Sequence, residues 1–348
     1  GFDGVLNWTA GIISGAGSID LLASGTLNKS GTGVLDIQQP FNSAGTVNVL
    51  DGTLNLSGGG TNTGTVTNSS TLNLDSGTYT SLFINQGTMS TTGTTFSQIF
   101  TNEGTLTIYP GTTTFSGGFL QNAGMLVLQN GETAGTMQFN GGSLVGSGTL
   151  AGNTTLAAAT LAPGFSPGTI TVAGDLVLGA GSVTAIEIEG TAAGQYDLID
   201  VQGNVVMDGE LAVTLLNGFT PTNGDTFPFL LATGTASGAF ATVNAPANFN
   251  AGYNLAAGEA ARLIYATSGT NTFTNTIGGL TWETAGNWSQ GWVPNAADDV
   301  LISAGYAVTH GTGTDTIATL TVNNGNSLDV SGGSLTVTGA TTVGGALT

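Results

Sequence analysis

The stretch Asn85-Gln86-Gly87-Thr88-Met89, met again 17 residues later as Asn102-Glu103-Gly104-Thr105-Leu106, decides the fold. The same phrase, Asn-x-Gly-Thr-apolar, stands at Asn62-Thr63-Gly64-Thr65-Val66. Variants follow at Asn122-Ala123-Gly124-Met125-Leu126 and precede at Ser43-Ala44-Gly45-Thr46-Val47. Successive starts lie 19, 23, 17 and 20 residues apart. A shorter echo, Gly-Thr-apolar-x-apolar, runs between them, as in Asp51-Gly52-Thr53-Leu54-Asn55-Leu56 and Ser70-Thr71-Leu72-Asn73-Leu74. A period of about twenty residues reads as one coil of a repeat architecture. Each coil holds two or three short strands, since apolar residues alternate with Thr, Ser and Asn. Gly and Asn at the corners are expected to supply the positive φ of tight turns. One coil cannot bury its own apolar face, so stacking on neighbours must make the core.

The expected fold is therefore all-β: a right-handed parallel β-solenoid with irregular coils of about 20 residues. The middle of the chain leaves room for hairpins or a sandwich-like insertion. Stacked at about 4.8 Å, the coils predict a rod on the order of 80 Å. Helix signals are almost absent. The one helical candidate, Leu255 to Arg262, reads better as a hairpin turn into Leu263-Ile264-Tyr265. Pro163, Pro167, Pro221 and Pro294 are expected in turns.

Composition narrows the function. Charged residues are 7% of the chain, the bases are Lys29 and Arg262 alone, and the formal net charge is −19. Phosphate binding needs a basic patch, so nucleic acid is excluded as a partner and anionic membrane surfaces are disfavoured. Hydrophobic residues at 40% argue against disorder. There is no cysteine, which suits a secreted chain that folds without disulfides. No apolar run is long enough to span a bilayer as a helix. The start lacks the pattern of a signal peptide, and the end stops within a strand–turn pattern. Both ends are expected to be cuts in a longer chain.

Three segments are distinguished. Residues 1–162 are the irregular repeat array. Residues 163–267 carry most of a second series that opens at Leu161-Ala162-Pro163-Gly164-Phe165-Ser166-Pro167-Gly168-Thr169-Ile170-Thr171-Val172. It runs on through Gly174-Asp175-Leu176-Val177-Leu178 and Tyr196-Asp197-Leu198-Ile199-Asp200-Val201 to Ser237-Gly238-Ala239-Phe240. This series resembles the passenger β-helix of autotransporter and filamentous-haemagglutinin-like secreted proteins, whose repeats run APG-x-SPG-T, GDL-x-L, YD-x-apolar-x-V and SG-x-F. Residues 268–348 open on Trp282, Asn287-Trp288, Trp292-Val293-Pro294 and Asp298-Asp299-Val300. They resemble a module of very large bacterial surface proteins that begins a new solenoid run. The resemblance implies a secreted β-helix at the cell surface or in the extracellular space.

Few residues invite chemistry. His310 is the only histidine and has no partner motif, so it is expected at an exposed turn rather than in a triad. Lys29 and Arg262 fall in different segments and read as single surface cations. Acidic polysaccharide lyases need clustered bases, which disfavours that enzyme class. Asp197, Asp200, Asp208 and Glu210 form the nearest set of carboxylates, a weak calcium candidate. Asp197 and Asp200 differ in strand parity, so they should not share a face. Trp282, Trp288 and Trp292 would make a sugar-stacking platform if exposed, but a packed plug between solenoid runs is the preferred reading. Ile186-Glu187-Ile188-Glu189 should put isoleucines in and carboxylates out. Asp298-Asp299 should cap a turn.

No catalytic residue, cofactor or enzyme activity is expected. The expected function is an extracellular structural or adhesive one, in a bacterial adhesin, matrix fibre or sheath. Self-association head to tail into a filament, or a glycan or host-surface ligand, are the expected partners. A carbohydrate-binding or carbohydrate-active β-helix protein is the alternative.

Overall fold

The computed structural model describes residues 1–253, 258–265 and 269–348. The chain winds into a parallel β-solenoid of about 17 turns, with 54% strand and 1% helix. Each coil in the first run has three short strands, as in Thr26–Lys29, Val34–Ile37 and Phe41–Ser43. The first strands of successive coils stack as a 12-stranded sheet. The second and third strands form a 23-stranded sheet that wraps two faces, because Met125–Ala134 and Ser143–Leu150 run round the corner between them. Alternate residues point inward: Thr71–Leu74 and Thr105–Ile108 bury both of their apolar side chains. That alternation follows from the two-residue period of a strand.

Register explains the motif. Val66, Phe83, Phe100, Phe119 and Met137 stack in one column on the first face. Phe83, Phe100 and Phe119 lie nearly flat on one another, with ring centroids 5.0 and 5.9 Å apart. A second column, Tyr79, Phe96 and Phe115, is stacked at 5.4 Å per step and meets the first edge to face. Beside the first column Asn68, Asn85, Asn102 and Gln121 form a fully buried amide ladder. Asn68 Nδ2 donates to Asn85 Oδ1 (2.7 Å), Asn85 Nδ2 to Asn102 Oδ1 (2.8 Å) and Asn102 Nδ2 to Gln121 Oε1 (3.0 Å). The same amides donate to the carbonyls of Thr88, Thr105 and Met125, tying each corner to the coil above.

Two sequence expectations are corrected here. Asn62 does not stand in line with Asn85. It lies on the third face between Ser43 and Tyr79, and Asn68 is the residue stacked beneath Asn85. The 23-residue interval was thus a change of face, and the true step there is 17. The corner glycines divide: Gly52 and Gly124 have positive φ as expected, whereas Gly87 and Gly104 are chosen for space. Gly87 and Gly104 do not have positive φ. A Cβ on Gly104 would sit 2.1 Å from the Gly87 carbonyl oxygen, far inside contact distance.

The middle of the chain has longer coils. Leu176 stacks on Val205 and Val205 on Ala236, steps of 29 and 31 residues. The insertion expected there is a hairpin: Phe249–Tyr253 pairs antiparallel with Glu259–Tyr265, which in turn pairs antiparallel with Thr226–Ala232. Of the turn expected at residues 255–262, positions 255–257 lie outside the described residues. A second set of parallel sheets runs from Gly269–Thr272 to Ala346–Leu347. Its core, including Phe273, Trp282, Trp288, Val300 and Leu320, is a cluster separate from the first.

Candidate functional site

Trp282, Trp288 and Trp292 are all buried, so none offers a ring face to a sugar. The stacking-platform expectation is corrected on that ground. Trp282 and Trp288 pack edge to face at 4.8 Å, and Phe273 packs the same way on Trp288. Trp288 Nε1 donates to the Trp282 carbonyl at 2.7 Å. Trp292 Nε1 donates to Asp298 Oδ2 at 2.8 Å. That oxygen also accepts from Asn295 N–H at 2.9 Å and Asn271 Nδ2 at 3.4 Å. Asp298 is therefore a buried anchor for the Trp292 loop, not only the cap of a turn. Burial raises its pKa, opposed by those donors. The Trp, Asn-Trp, Val-Pro and Asp-Asp-Val signature thus encodes a packed hub.

His310 is also buried, against expectation. It ends the strand Ala307–His310. Nδ1 lies 2.9 Å from the Gly332 carbonyl and Nε2 lies 2.8 Å from Asp315 Oδ2. Both partners are acceptors, so the site favours the charged imidazole, in which both ring nitrogens donate. Burial works against that charge. The Gly332 carbonyl and the Asp315 and Glu283 carboxylates outweigh it, and the pKa is raised. Trp282 flanks the ring at 5.6 Å. With both nitrogens engaged, His310 has the role of a structural cation.

Lys29 departs from its surface reading too. It is buried, and Nζ donates to the carbonyls of Gly31 (2.7 Å) and Asp51 (2.8 Å). Burial lowers its pKa, partly offset by the Asp51 charge. Arg262 is partly buried and pairs with Glu259 at 3.5 Å.

The four acidic candidates do not converge. Asp197 is buried and accepts from Gly168 N–H (2.8 Å) and Glu187 N–H (2.9 Å), fixing the Pro-Gly loop. Burial pushes its pKa up to about 7, against those two hydrogen bonds. Asp200 faces outward on the other side of its strand and accepts from Gln202. Asp208 accepts from the next backbone N–H, and Glu210 lies near Asn244. Among the described residues no three acidic, His or Cys side chains gather as a metal site. Ile186 and Ile188 are buried with Glu187 and Glu189 outward, as the alternation predicts.

One lateral feature was not singled out from the sequence. Asp36, Asn55, Asn73 and Ser90 stack outward in register on consecutive coils. Ser57, Asp75 and Thr92 lie two residues beyond Asn55, Asn73 and Ser90, and Tyr109 lies two beyond Thr107, the residue that follows Ser90 in the column. All of these but Thr107 line a groove of about 460 Å³. Its only sequence signal is the polar position that alternates with core residues, which every coil has. No protein-family model matches the chain. Nor does any curated protein.

Proposed function

We propose that this chain is an extracellular structural and adhesive rod, a segment of a bacterial surface adhesin, matrix fibre or sheath. The observation that carries the reading is the stacked-coil architecture itself. In a solenoid each coil contacts only its neighbours, so length can grow without altering the design. The residues of potential chemistry are tied into that scaffold: His310, Lys29, Asp197 and Asp298 each serve backbone or neighbouring side chains. The resemblance of residues 161 to 265 to secreted passenger β-helices supports the extracellular assignment. An open strand edge can pair with a second copy, so head-to-tail filaments belong to this reading.

Electron microscopy of the purified chain tests the reading. Slender rods, isolated or joined end to end into fibres, are expected. Compact globular particles would overturn the rod, and rapid depolymerisation of any polysaccharide would overturn the non-catalytic assignment.

A further inference from the structure

The groove on the second face has a chemistry that the scaffold does not use. In its first column Asn73 Nδ2 donates to Asn55 Oδ1 (2.8 Å) and Ser90 Oγ donates to Asn73 Oδ1 (2.7 Å). Ser57 Oγ donates to Asp36 Oδ1 at 2.7 Å. These bonds orient the row. They leave the Asn55 amide N–H, the Asp75 carboxylate and the Tyr109 hydroxyl without a protein partner among the described residues. Tyr109 is 41% exposed at one end of the groove. A ring exposed to that extent beside a row of fixed donors and acceptors presents an apolar face and a polar edge together.

Charge and geometry select among ligands. Asp36 and Asp75 line the groove and no base does, since Lys29 is buried and Arg262 belongs to the hairpin. Anionic polymers are therefore repelled. An extended peptide gains affinity by pairing with an open sheet edge, whereas the strands under this groove are already paired on both sides. A cation finds two carboxylates on separate coils, and Asp36 is already engaged by Ser57 and Gln38. Sugar hydroxyls both donate and accept, which matches a row mixing carboxylate, amide and hydroxyl groups. The row repeats along the axis at the strand spacing of about 4.8 Å, a pitch suited to successive sugar units.

We propose that this groove binds an uncharged polysaccharide chain lying along the rod axis, with Tyr109 stacking on a sugar ring and Asn55, Asn73 and Asp75 bonding to hydroxyls. This rests on the adhesive reading above and gives its ligand class.

The test is calorimetric titration of the full chain with cellohexaose, maltohexaose and N-acetylchitohexaose, with hexagalacturonate as the anionic control. At least one neutral hexasaccharide should bind, with little change between low and high salt. Tyr109→Ala and Asn55→Ala, both at outward positions, should weaken binding about tenfold or more while circular dichroism stays unchanged. Failure of all three neutral sugars at millimolar concentration overturns the proposal. So does binding that survives both variants, or binding of hexagalacturonate alone. If the groove fails while the chain still forms rods that adhere to cell surfaces, the ligand assignment falls and the adhesive reading stands. Loss of adhesion by the intact chain as well removes both.

Discussion

Asn85→Ala should be among the most damaging single changes in the first run. The substitution removes three hydrogen bonds: from Asn68 Nδ2, to Asn102 Oδ1 and to the Thr105 carbonyl. At about 1 kcal/mol net each, that is roughly 3 kcal/mol. Asn102 Oδ1 is then buried without a donor, which costs a further ~1–2 kcal/mol. Asn68 keeps two bonds, from its Nδ2 to the Thr88 carbonyl and from Ser70 N–H to its Oδ1. The expected loss is about 4–5 kcal/mol. It should be local, because stability in a stacked repeat is a sum of neighbour terms. Hydrogen exchange should show lost protection in Val66–Asn68, Phe83–Asn85 and Phe100–Asn102, with Val183–Ile188 unchanged. The opposite sign is expected one phrase earlier. Asn62 is buried and neither amide atom has a hydrogen-bond partner among the described residues. Asn62→Leu should therefore stabilise by about 1–3 kcal/mol. An Asn85→Ala cost below ~1 kcal/mol, or equal effects of the two asparagines, would refute the ladder as an energetic unit.

Other outcomes follow from packing and charge. Gly104→Ala should unfold or strongly destabilise the neighbouring coils, while Gly4→Ala, with open space at its Cβ, should be nearly neutral in thermal melts. Stability should fall as pH rises. Asp197 keeps its proton to about pH 7 when folded and only to its ordinary acidic pKa when unfolded, so its contribution is lost between those values. His310, with its pKa raised, adds stability that is full below the ordinary histidine pKa and is lost as pH rises through its folded pKa. Scanning calorimetry should place the melting temperature higher at pH 5 than at pH 8, and the reverse order would sink this account. Native protein should resist trypsin at Lys29, whose side chain is buried, so a rapid cut there would contradict its burial.

The fold was legible because a solenoid repeats its own evidence. Inward positions must be apolar at every coil, so alternation survives even where coil length drifts from 17 to 31 residues. Phase was less legible. Asn62 and Asn68 both head an Asn-x-x-Thr-apolar phrase, and only stacking against Asn85 distinguishes them. Isolated polar residues were misread for a related reason. A lone Lys or His normally sits in water. Backbone carbonyls converge on buried Lys29, and a backbone carbonyl with the Asp315 carboxylate holds buried His310; such convergence leaves no mark in local sequence.

The same logic says where function can reside. An inward residue must agree with the coil above and the coil below, which ties it to packing. An outward residue answers to solvent and to at most a hydrogen bond with the next coil, so its identity is freer to vary coil by coil. In the second face that freedom produces Asp36, Asn55, Asn73 and Ser90 in one column, then Thr107 and Val127 further along it. The column turns from carboxylate and amide to hydroxyl and then apolar while the core beneath stays Leu35, Leu54, Leu72, Met89, Leu106 and Leu126. A specific surface can therefore be written on this rod without disturbing its stacking, and only the register shows which outward residues share it.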